Sequence, residues 1–115
     1  MPLEGAMQLT ATIAQSASLS NAVLITGRLP TRIDMPAAWT AANLTFQVST
    51  DGLTYNNLYG DAGTEYTVTA AAARAIVLDP VDFAGVNYLK IRSGTAATPV
   101  AQEVARSLAV VTRTF

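Results

Sequence analysis

The groups in this chain that could do chemistry are carboxylates, hydroxyls and amides, because the sequence holds no histidine and no cysteine. A Ser-His-Asp triad, a histidine acid–base pair and a histidine metal site are thereby excluded. So are disulfides, thiolate metal sites and a cysteine nucleophile. Two carboxylate pairs remain: Asp79 with Asp82, and Asp61 with Glu65. Catalytic carboxylate pairs usually come from separate strands, so this spacing neither supports nor excludes them. Aspartate also folds back on its own backbone to cap turns and short helices, and that reading is preferred for these residues. Asp61 and Glu65 could contribute to a calcium loop, but calcium takes six to eight oxygens and no EF-hand spacing is present. The glycines sit apart, each near a turn, and form no phosphate-binding loop. The chain is therefore read as non-enzymatic, with no catalytic residue, cofactor or metal ligand assigned.

A second set of residues could bind rather than react. Trp39, Tyr55, Asn57 and Tyr59 lie near expected strand ends, where aromatic faces stack on sugars and amides bond hydroxyls. Asn56 and Asp51 could add polar contacts. The competing reading of Trp39 is a plug at one end of the core, its indole N–H donating to a carbonyl. Arg28, Arg32, Arg74, Arg92 and Arg106 are scattered. Arginine is enriched at protein interfaces, yet it is equally ordinary on free surfaces. At the chain ends, Met1, Pro2, Leu3 and Phe115 are apolar residues that no strand pattern claims. They are candidate interface anchors, against the plainer reading that termini fray.

Seven basic residues oppose eight acidic ones, for a net charge of −1. Lys90 is the only lysine and no basic run exists, so the electrostatic footprint of a nucleic-acid binder is missing. A near-neutral surface tolerates self-association. The first residues lack the charged and apolar regions of a signal peptide, and no apolar run is long enough to cross a bilayer. The expectation is a protein made in the cytoplasm and kept there or built into something larger.

The elements that would position these residues read as strands. Leu9, Ala11 and Ile13 alternate with polar neighbours, as do Leu44, Phe46 and Val48, Tyr66 and Val68, and Leu89 and Ile91. A period of two places each set on one face of a half-buried strand. Ala22–Ile25 and Ile76–Leu78 are continuous apolar runs, expected to be short strands buried on both faces. Ser107–Thr112 is expected to close a sheet. Pro30 and Pro36 flank Thr31–Met35, which predicts a short or edge strand there. Asp51-Gly52 marks a hairpin turn, and Asp79-Pro80 to Gly85 a loop with one helical turn. Ala70–Ala75 is too short to be a helix by itself. Pro99–Arg106 could start a helix but reads better as an extended connection. The sum is an all-β fold over 1–115: an antiparallel sandwich or jelly roll of seven or eight short strands, with residues 1–6 as an extended N-terminal arm.

Two stretches carry a family likeness. Leu44 to Gly52, followed by Tyr55, resembles the strand and hairpin of galactose-binding-like (discoidin-type) jelly rolls. Tyr88-Leu89-Lys90-Ile91-Arg92 resembles the strand in which such domains carry a buried apolar pair and a basic residue. The chain is shorter than those domains and lacks the cysteine pair that ties their ends. Met35 to Thr40, Phe83-Ala84-Gly85 and Leu89 to Thr95 also resemble small structural proteins of tailed phages and prophages. That likeness implies a capsid-decoration or head-fibre component made in the host cytoplasm and located in the virion. Its partners would be the major capsid protein, other virion proteins or further copies of itself, and neither nucleic acid nor a membrane. The alternative is a carbohydrate-binding module using Trp39, Tyr55, Asn57 and Tyr59.

Overall fold

The computed structural model describes residues 6–114. The proposed arm over 1–6 lies almost wholly outside them, as do the interface candidates Met1, Pro2, Leu3 and Phe115. Among the described residues there are eight strands: β1 (Met7–Ile13), β2 (Val23–Leu24), β3 (Arg28–Asp34), β4 (Leu44–Ser49), β5 (Asn56–Asn57), β6 (Ala75–Val77), β7 (Tyr88–Ser93) and β8 (Arg106–Thr114). They form two four-stranded sheets, ordered β1-β8-β3-β6 and β2-β7-β4-β5, with every pairing antiparallel. The first strand pairs the eighth, the second the seventh, the third the sixth and the fourth the fifth. That is a long hairpin rolled up so that β8 also meets β3 and β7 also meets β4, which is a jelly roll.

The two sheets share one core. Ile13, Ile33, Leu44, Phe46, Phe83, Leu89, Ile91, Leu108 and Val110 are fully buried in it. Three rings lock one region edge to face: Phe46 and Phe83 at 5.4 Å, Phe46 and Tyr66 at 5.8 Å, and Tyr66 and Phe83 at 5.6 Å. Such pairs add about 0.5–1.5 kcal/mol each beyond their buried area. Phe83 ends a single 3₁₀ turn, Pro80–Phe83. Proline sits at its start, and the Asp79 carboxylate caps it by accepting from Val81 N–H at 3.1 Å.

Several expectations need correction. Ala22–Ile25 and Ile76–Leu78 are not buried on both faces: Leu24 is 57% exposed and Val77 82% exposed. Both belong to edge strands with nothing packed over their outer side, and an apolar run by itself cannot reveal that. Ser107–Thr112 does join a sheet, as the body of β8 between β1 and β3. β3 is likewise interior and runs straight through Pro30. The register against β8 slips between Pro30 and Arg32, so Thr31 is a bulge residue. β6 reaches only Arg32 to Asp34, so Pro30 has no ladder on that side to interrupt. Tyr66 and Val68 do pack against the core but form no strand. Instead Val68 exchanges two backbone bonds with Leu44, at 2.9 Å each, where β5 has left the edge of β4. Ala70–Ala75, in keeping with its shortness, is not helical, and Ala73 takes a positive φ of 57° within it.

Candidate binding face

The outer side of the second sheet collects the polar and aromatic residues. In β7 the core takes Leu89 and Ile91, which turns Tyr88, Lys90 and Arg92 outward. Cross-strand register sets Thr45 beside Arg92, Gln47 beside Lys90 and Ser49 beside Tyr88. Asn57 stands opposite Gln47, and Leu24 opposite Tyr88. Beyond β5 the alternation continues: Leu58 packs against the core, so Tyr59 faces out with Asn57 and Tyr55. The Lys90 ammonium sits 4.2 Å from the centre of the Tyr55 ring, a cation–π contact.

Arg92 organises this face although it lies on the sheet's outer side. Its guanidinium donates to Asn57 Oδ1 at 2.6 Å, to Thr45 Oγ1 at 3.2 Å and to Glu65 Oε2 at 3.2 Å. The Thr45 hydroxyl in turn donates to the Gly94 carbonyl at 2.7 Å. Glu65 also accepts from the Ala96 N–H, at 3.1 and 3.2 Å to its two oxygens. Loops 58–74 and 94–105 are thereby tied down over one arginine. The pair is nearly dry, with side chains 8% and 14% exposed. A planar guanidinium suits the position because its fork reaches partners on β4, β5 and the Glu65 loop together.

Next to this face lies an open cleft of about 550 Å³. Thr50, Asp51, Thr54 and Asn56 of the β4–β5 hairpin line one side, and Ala84 and Val86 the other. Asp51 builds the hairpin. One carboxylate oxygen accepts from Thr54 N–H at 2.9 Å, Leu53 N–H at 2.8 Å and the Ser49 hydroxyl at 3.0 Å. These bonds to the charged form hold the carboxyl below its ordinary range. Gly52 beside it has φ +78°, and a Cβ there would come within 2.9 Å of the Tyr88 ring. The turn therefore needs glycine on two counts.

The residues singled out in the sequence divide between two places. Tyr55, Asn57 and Tyr59 share the outer face described above. Trp39 does not join them: it packs against the core from the β3–β4 connection, and its indole donates to the Ala42 carbonyl at 3.0 Å. Glu65 is engaged with Arg92, while Asp61 sits at the tip of its loop. Among the described residues, no three acidic side chains gather as metal ligands would. Asp79 caps its turn, and Asp82 lies near the Tyr66 hydroxyl. Burial first, and then the Asp82 carboxylate, push that phenol up to about 12.

One organising residue escaped the sequence pattern altogether. Gln102 is fully buried in the β7–β8 connection. Its amide donates to the Ser93 hydroxyl at 2.7 Å and the Thr40 carbonyl at 3.0 Å, and accepts from Thr40 N–H at 2.9 Å and Arg106 at 3.1 Å. It fastens two loops at one end of the sandwich. No periodicity marks it, since its segment is irregular. No protein-family model, curated protein or solved structure matches this chain.

Proposed function

We infer that this protein is a non-enzymatic interaction module, and that it serves as a structural component of a tailed-phage particle held by protein–protein contacts. The observation that supports the non-enzymatic part is the structural employment of four of its eight carboxylates. Asp51 holds a hairpin, Asp79 a 3₁₀ turn, Glu65 a buried arginine and Asp34 the neighbouring Arg32. A carboxylate fixed by structural bonds is poorly placed to exchange protons with a substrate. The particle assignment draws on the sequence likeness and on a fold widely used in capsid and lectin domains. Fold alone does not assign a function, so the assignment needs a direct test. The chain should be co-expressed with the genes that flank its own and any particles that form banded on a gradient. Co-banding that weakens on deleting residues 1–6 or Phe115 is expected. Particles that assemble normally and carry none of the chain would reject the reading.

A second reading is favoured by one specific observation: Tyr55, Asn57 and Tyr59 lie on one face with Lys90 and Gln47. Aromatic and amide groups on a common face suit a saccharide. A glycan array, followed by titration of any hit against Tyr55→Ala and Tyr59→Ala, tests this. Trp39→Ala belongs in the series as a packing control, expected to lower stability without a selective loss of glycan. Binding left unchanged by both tyrosine variants would dismiss the face as a sugar platform.

A further inference from the structure

We propose that the free edge of β1 pairs with the β1 edge of a second copy, joining two first sheets into one continuous antiparallel sheet. Three of the four sheet edges are too short to template another strand: β2 and β5 have two residues each and β6 three. β1 is the exception, with seven residues. It carries none of the devices that protect an edge, such as lysine, proline, a bulge or an inward charge.

The direction of its backbone groups follows from one contact. Thr12 N–H donates to Asn21 Oδ1 at 2.7 Å, and Asn21 N–H donates to the Thr12 carbonyl at 3.2 Å, both on the side away from β8. In a strand, alternate residues aim both backbone groups the same way, so Gln8 and Thr10 point to the open edge. Neither has a backbone partner on that side among the described residues. Asn21 closes the Thr12 end, which leaves 7–11 as the usable stretch.

That stretch reads Met-Gln-Leu-Thr-Ala, apolar and polar by turns about Leu9. A two-fold axis through Leu9 sets Gln8 against Thr10 of the copy, each such pair exchanging two N–H···O bonds. On the inner side Leu9 meets Leu9, and Met7, 47% exposed, meets Ala11. Polar therefore faces polar and apolar faces apolar in this register. No charge lies on β1, and each copy carries a net charge of only −1, so repulsion between copies is weak. The self-complementarity identifies a second copy, rather than an unrelated strand, as the occupant. The contact is small, under about 1,200 Å² in total, so a reversible dimer at high protein concentration is expected.

The absence of cysteine supplies a clean test. Leu9 faces its own copy as a non-hydrogen-bonded pair, with Cα atoms about 4.5 Å apart, inside the range a disulfide spans. Leu9→Cys should oxidise to a covalent dimer of about 24 kDa, twice the 12.0 kDa of one chain. Leu53→Cys, on the exposed hairpin loop, should do so at least about tenfold more slowly. In sedimentation, the unmodified chain should shift toward dimer between about 10 µM and 1 mM, a range suited to a weak interface. A mixture of Gln8→Lys/Thr10→Lys with Gln8→Glu/Thr10→Glu should form the hetero-pair while neither variant pairs with itself. Circular dichroism on each variant confirms the fold. A folded chain that stays monomeric at 1 mM, with Leu9→Cys and Leu53→Cys oxidising at equal rates, would overturn the proposal.

Discussion

The outer sides of the two sheets are built on opposite plans. The first sheet presents Gln8, Thr10 and Thr12 of β1, Ser107 and Ala109 of β8, Arg32 and Asp34 of β3, and Ala75 and Val77 of β6. Most of these are small or exposed side chains with one open ion pair; Val111, between Gln8 and Arg32 on the same side, is 6% exposed, and Arg113 adds a further cation. The second sheet presents aromatics, amides and cations, and part of it is roofed by loops that converge on Arg92. Both sheets bury one apolar core, to which the second adds the Phe46 ring, and the larger difference lies in what the outward positions carry. A jelly roll constrains the inward residues tightly and leaves the outward ones free to differ, and that is where interaction surfaces are made.

The ion pairs sharpen this contrast most. Arg92 and Glu65 are nearly dry, whereas Arg32 and Asp34 are 47% and 36% exposed. Glu65→Ala leaves a buried guanidinium with its charge uncompensated and also removes the acceptor for Ala96 N–H. A loss of about 3–5 kcal/mol is expected from urea unfolding. Arg92→Lys keeps the charge but cannot reach all three acceptors, so it should recover only part of the stability. A Glu65→Ala loss below about 1 kcal/mol would mean that the roof contributes nothing and the two faces are energetically alike.

The hairpin beside the second face comes next. Gly52→Ala places a Cβ against the Tyr88 ring and forces a left-handed backbone on alanine. A destabilisation of about 1–2 kcal/mol is expected from the backbone alone, with the ring contact adding to it. The matching change at Gly63, φ +84° with open space around it, should cost only the backbone share. Equal losses at the two glycines would show that Tyr88 simply moves aside.

How much of this was legible beforehand follows from which forces leave a trace in sequence. The inward alternation of Leu44-Thr45-Phe46 and of Leu89-Lys90-Ile91 is a direct imprint of a two-sided strand, so the all-β sandwich could be read. The Asp51-Gly52 turn was equally plain, because its chemistry is local. Burial of Arg92 and Gln102 was not, since it depends on loops folding back from 27 and 62 residues away in the chain. Pro30 misled for a related reason: whether a proline breaks a ladder depends on which neighbour stands beside it, and β6 stops short. Tyr55, Asn57 and Tyr59 read only as residues near strand ends, and their common face comes from alternation through β5; Trp39, grouped with them, is taken into the core by the β3–β4 connection.

Titration distinguishes the inside of the fold from the hairpin by the direction of its effect. The Tyr66 phenol is raised from 10.0 to about 12, so the folded state prefers the protonated form. Its contribution is full below pH 10 and is lost as pH rises through about 12. Asp51 runs the other way. Its folded value lies below 3.8, so its contribution is full above that pH and fades as pH falls through the folded value. Urea midpoints measured across both ranges should decline at both ends. Tyr66→Phe should flatten the alkaline limb alone and Asp51→Asn the acid limb alone. A Tyr66→Phe variant that keeps the full alkaline decline would show that another group sets it.

The smallest effect is expected on the bare face, and it is the most direct check on the contrast between the sheets. Arg32 donates to both carboxylate oxygens of Asp34, at 2.8 and 3.2 Å, which is good geometry. Good geometry is not the same as stability, because both side chains remain in water and lose rotamer freedom on pairing. Exposed pairs of this kind contribute about 0–1 kcal/mol. Salt at about 1 M shortens the screening length to roughly 3 Å and should erase what remains. Asp34→Ala should therefore lower the unfolding free energy by less than about 1 kcal/mol, and by almost nothing at high salt. Glu65→Ala, shielded from solvent, should keep most of its loss under the same salt. If the two variants responded to salt alike, the Arg92 pair would have to be as solvated in solution as the Arg32 pair, and the loops would not be closed over it.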